Sequence, residues 1–133
     1  MKPIALSDQE LRERLPVWEA LSEFWLDTEL TATQLEGIAH AIASSPYFVS
    51  EVRLIHDYEV APALYPNLLS VAGEWAGFDT DLLQARCTKS ARKRGSYSYK
   101  IRIFFQRPMF WFFTARHWRV ILPSVQKLRG LQE

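Results

Sequence analysis

Residues 59–79 read EVAPALYPNLLSVAGEWAGFD, a stretch that packs two prolines, two glycines, a tryptophan and a dense apolar run into twenty-one positions. Pro62 and Pro66 each fix φ and lack an N–H, which suits the first turn of a helix and disfavours its interior; the reading is a short helix that restarts near Pro66. Leu68, Leu69, Val71, Ala72, Trp75 and Ala76 then give an apolar face at three-to-four-residue spacing. Gly77 supplies a left-handed stop, and the Asp79 carboxylate caps the next helix over Thr80 to Leu82. Trp75 is read as core, against a binding anchor made with Glu74.

Working outward from there, the N-terminal side is rich in helix signals. Ser7 with Glu10, and Thr31 with Gln34, have capping-box spacing, in which each side chain satisfies a backbone N–H at a helix start. Leu35, Ile38, Ala39, Ile42 and Ala43 match the i, i+3, i+4, i+7, i+8 template throughout. Before them Trp18, Leu21 and Trp25 share one stripe, with Glu19, Glu23 and Asp27 on the other side and Pro16 expected to kink or divide the helix. A further helix is predicted from about Val49 to Val60, with Val52, Ile55 and Tyr58 inward and Arg53 and Asp57 paired outward.

On the C-terminal side a helix carries Leu82, Leu83 and Cys87 into the basic run KSARKRG (89–95). Beyond Gly95, Tyr97, Tyr99, Ile101, Ile103 and Phe105 recur at period two, which suggests a strand pairing with Phe110–Thr114 across a turn at Arg107-Pro108. One or two helices follow to Leu128, with Trp118, Ile121 and Leu122 apolar and Pro123 as a break. The fold expected is therefore all-α: a mostly helical single domain over residues 1–133, of five to seven helices, with a small β-hairpin near 97–114 as the local alternative.

Apolar content of 48% and aromatic content of 14% argue for a packed globule rather than a disordered binder. The lone Cys87 forms no internal disulfide, and the opening MKPIALSDQE lacks the apolar run of a signal peptide, so a cytoplasmic location is expected. The most lipid-like segment, Pro108 to Ala115, is eight residues, well short of the ~20 that cross a bilayer.

A net charge of +1 conceals an asymmetry: residues 1–85 hold fourteen Asp and Glu against four Lys and Arg, and residues 86–133 hold one against twelve. An acidic body is joined to a basic, aromatic end. Either the two halves fold against each other, or one of them faces another macromolecule.

At PVWEALSEFWLDTEL (Pro16 to Leu30) and EVAPALYPNLLSVAGEWAGFD (Glu59 to Asp79) the chain resembles a family of short, uncharacterised bacterial proteins sharing these blocks, over roughly residues 12–84. The resemblance implies a small helical domain with no established reaction and no accepted catalytic residues.

No HExxH, GxSxG, Walker or GxGxxG pattern is present. His40, His56 and His117 lack metal-ligand spacing, and Cys87 lies on an apolar stripe, so no catalytic residue, metal or cofactor is assigned. The function expected is non-enzymatic protein binding, most sharply by an immunity protein that neutralises a basic bacterial toxin or effector. Its contacts would be Glu19, Glu23, Asp27, Glu29 and Glu59, because a clustered acidic surface speeds association with a basic partner. The alternative is a nucleic-acid or anionic-surface binder using Arg92, Lys93, Arg94, Lys100 and Arg102, interleaved with rings that stack on bases. A variant of it lays PMFWFFTARHWR (108–119) at a membrane interface. An unrecognised enzyme, with a site assembled from distant residues such as His56, Glu59 and Glu74, is the third class.

Overall fold

The computed structural model describes residues 6–25, 30–68 and 80–130, and no strand occurs among them. Helix α1 spans Asp8–Ser22 and continues as a 3-10 turn, Glu23–Trp25; α2 spans Ala32–Ala43 and α3 Val49–Ile55. A π-helical segment, His56–Val60, runs without a break into α4, Ala61–Leu68; α5 spans Thr80–Lys93 and α6 Tyr97–Leu128. Both capping boxes form: the Ser7 hydroxyl accepts from the Glu10 N–H while the Glu10 carboxylate accepts from Ser7, and Thr31 and Gln34 do the same.

The core is one cluster to which every helix contributes. Trp18, Leu21 and Trp25 are buried, as are Ile38, Ala39 and Ile42, matching the two stripes read from sequence. Helix α6 packs chiefly along α2, presenting Tyr99, Ile103, Phe110, Thr114, Trp118, Ile121 and Val125 inward at helical spacing. Its end is fixed by Gly130, whose φ of 74° is the left-handed stop of a helix. Next to it, Arg129 donates to the carbonyls of Ile42, Ala43, Ser45 and Tyr47 at 2.8–3.2 Å. A guanidinium thus satisfies the orphan acceptors at and just beyond the negative end of α2.

Several expectations are corrected. The region 97–114 is helix, not hairpin. Its apolar residues serve two faces, with Tyr99 and Ile103 inside and Tyr97, Ile101, Phe104 and Phe105 outside, and that double use mimics period two. Pro16, Pro108 and Pro123 do not break their helices. Each is exposed, so the carbonyl left without its N–H partner lies on the solvated side. Pro62 and Pro66 lie within the continuous run 49–68 and do not restart a helix. The readings at 69–79, including Glu74, Trp75, Gly77 and the Asp79 cap, lie outside the described residues.

Candidate functional site

Where α3 gives way to α4, the helix widens for one turn, and the Ala61 N–H bonds back to the His56 carbonyl. The i→i+5 pattern is rare and concentrates at functional or strained places. Here the local sequence favours it: Pro62 cannot donate to the Tyr58 carbonyl, and that carbonyl instead accepts the Tyr99 hydroxyl at 2.7 Å. Burial pushes the Tyr99 phenol up to about 12, keeping it a donor at physiological pH.

The wide turn directs four of its five residues inward, His56, Asp57, Glu59 and Val60. Two carboxylates therefore enter the core from one turn, facing different helices. Glu59 has no solvent exposure; its Oε1 accepts from Arg14 at 2.8 Å and from the Trp18 indole at 2.8 Å, and its Oε2 from Arg14 at 2.7 Å and Arg94 at 2.6 Å. Asp57 is equally buried. Its Oδ2 accepts from Arg107 at 2.9 Å and from the Trp111 indole at 3.1 Å, while its Oδ1 accepts from His56 Nδ1 at 2.9 Å.

The Trp25 indole donates to His56 Nε2 at 3.1 Å, so both ring nitrogens of His56 are partnered, one by Trp25 and one by Asp57. Burial alone would raise the Asp57 carboxyl, but the hydrogen bond and electrostatic attraction of His56, the hydrogen bond from Trp111 and the charge of Arg107 outweigh it and hold the group below its ordinary value. The cations are seated on rings as well: the guanidinium groups of Arg94 and Arg107 both lie against the Tyr58 ring, at 5.5 and 5.8 Å. Arg53 stacks on Trp111 and Trp118.

This arrangement revises the sequence-based assignment. Glu59 is an internal anchor rather than a partner-facing acid, because three donors from α1 and the α5–α6 turn enclose it. Arg94 is its counter-ion, not a free surface cation. Asp57 does not pair outward with Arg53, and His56 is interior. Of the remaining predicted acids, Glu19 is exposed and Glu23 half-buried, with the Glu23 carboxyl raised by burial; Asp27 and Glu29 lie outside the described residues.

Arg92, Lys93, Lys100 and Arg102 are exposed, with Lys100 over the Tyr97 ring and Arg102 over Tyr99. Arg92, Lys93 and Lys89 line a cavity of about 820 Å³ beside Leu11, Ala85 and Thr88. Cys87 is buried, and burial together with the charge of Glu59 pushes its thiol far above the range of a nucleophile. Sequence reasoning missed the network. The available signal was the polar run HDYE held between Leu54-Ile55 and Val60-Ala61, which places charged residues in an apolar frame.

A second feature lies on the outside. On α6, Tyr97, Ile101, Phe104, Phe105, Pro108 and Phe112 fall within a sector of about 100°, and all are exposed, Phe105 at 75% and Phe112 at 82%. Lys100 and Arg102 flank the stripe on opposite sides, and Arg116 and Arg119 continue it. Helix α6 contains six Lys and Arg and no Asp or Glu.

These features define a small all-α protein braced by an internal ion network and carrying an aromatic, basic outer helix. It belongs to the family described as a domain of unknown function, DUF7079, whose pattern matches residues 12–124. No curated protein and no solved structure matches the chain.

Proposed function

We propose that this protein is a non-enzymatic binding module whose docking surface is the outer face of α6. The observation that supports this reading is the stripe from Tyr97 to Phe112, because a contiguous apolar patch on a soluble surface marks an interaction site more often than scattered apolar residues do. The internal ionisable groups support it from the other side. Asp57 pairs with His56 and Arg107, and Glu59 with Arg14 and Arg94, in the interior, where their hydrogen bonds brace helices.

A second reading is capture of a basic protein, with neutralisation of a toxin as its sharpest form. Exposed carboxylates at Asp8, Glu10, Glu19, Glu36 and Glu51 support it; it rests on those groups and not on Glu59.

Photo-crosslinking in cells separates the two. A benzophenone amino acid replacing Phe105 is expected to give an adduct, whether to lipid, nucleic acid or protein, and one replacing Glu19 is not. Adducts only from position 19 would transfer the function to the acidic side, and none from either position would remove the binding reading.

A further inference from the structure

We propose that the Tyr97–Phe112 face of α6 docks on the surface of a bilayer containing anionic phospholipid, lying in the interface rather than crossing it; this rests on the reading of α6 as the binding surface. No helix among the described residues is long and apolar enough to span a membrane. The stripe is about 23 Å long at 1.5 Å per residue, and its rings stand free of the core, so it can sink to headgroup depth while the buried face of the same helix stays packed on α2.

Charge selects the occupant. Lys100 and Arg102 on the two edges, with Arg116 and Arg119 beyond Phe112, place cations where phosphate headgroups would lie, and α6 offers no carboxylate to repel them. A second copy of this chain fits poorly, because pairing two such faces brings cations of both copies together with no acid on either helix. Single-stranded nucleic acid would use the rings as stacking platforms. Ile101 and Pro108, in the middle of the stripe, have no π face for a base and are suited to acyl chains.

The test is flotation of the full chain with phosphatidylcholine vesicles, with or without phosphatidylglycerol, at low and high salt. The protein is expected to float with the anionic vesicles, less so at high salt, and to remain behind with phosphatidylcholine alone. The double variant F105S/F112S should bind roughly a hundredfold more weakly, the scale of removing two large apolar side chains from the lipid-facing side. K100E/R102E should lose the preference for anionic lipid, and melting temperatures of both variants should match the parent.

A wild-type protein that floats with neither vesicle, or a double variant that floats as well as the parent, overturns the proposal. Salt-sensitive retention on oligo-dT without flotation, lost in F105S/F112S, overturns it in favour of nucleic acid. A concentration-dependent dimer without flotation, lost in the same variant, overturns it in favour of self-association. In both of those cases a crosslink at position 105 would still stand, so failure of the lipid assignment is distinguishable from failure of the binding surface.

Discussion

The interior turn at His56–Val60 and the outer face of α6 are built from the same two materials, arginine or lysine and aromatic rings, and they behave oppositely. Around Glu59 and Asp57, Arg14, Arg94 and Arg107 each have a carboxylate within 3 Å and a ring at 5 to 6 Å, so these cations and acids satisfy one another. Along α6 the rings face water and the cations on their flanks have no acid on their own helix. Composition therefore does not separate a brace from a docking surface. What separates them is whether carboxylates arrive to neutralise the cations, and here that is decided by one widened turn of helix.

The largest effect is expected from breaking the brace. Glu59→Gln leaves the half-buried Arg14 and Arg94 without a charged partner, a loss of about 3 kcal/mol, read as a lowered denaturation midpoint in urea. A variant as stable as the parent would mean that the network is ornamental. Arg129→Ala should follow, at about 1–3 kcal/mol, since several carbonyls at and just beyond the end of α2 lose their donor; Arg129→Lys should recover only part of it, because an ammonium cannot span the four acceptors that the planar fork reaches.

Acid sharpens the comparison further. The Asp57 carboxyl is held below its unfolded value of 3.8, so its contribution is fully present above that value and is lost as pH falls through the lower, folded one. Urea midpoints should therefore decline below about pH 4, and Asp57→Asn, less stable at neutral pH, should show a shallower decline. The smallest stability effect belongs to the outer face: Phe112→Ser should shift unfolding by no more than ~0.5 kcal/mol. A large loss there would erase the distinction between the two regions.

How much of this was visible in the residues depends on how local the cause is. Helix α2 was legible because only one of its faces is apolar, and the caps at Ser7 and Thr31 because a capping box is closed within four residues. Helix α6 misled because apolar residues occupy its outer face too. The very residues that disguised it, Tyr97, Ile101 and Phe105, now form the proposed docking stripe. The burial of Glu59 was beyond local reading: its counter-ions come from positions 14 and 94, and that of Asp57 from 107, so the acid's surroundings exist only once four separate segments have packed. Pro62 pointed to a helix start by its own chemistry, but Tyr99, far along the chain, supplied the missing donor.

The widened turn also constrains insertions and deletions. A π turn holds one residue more than the α turn it replaces, so losing one position within 56–60 lets the backbone relax to ordinary helix while the helix downstream keeps its register. Ala61 and Leu64 would stay in the core, and one of the two carboxylates would lose its inward place. A single-codon deletion in this turn would thus cost the brace rather than the fold, whereas the same deletion in the α-helical part of the run would rotate everything downstream by about 100°.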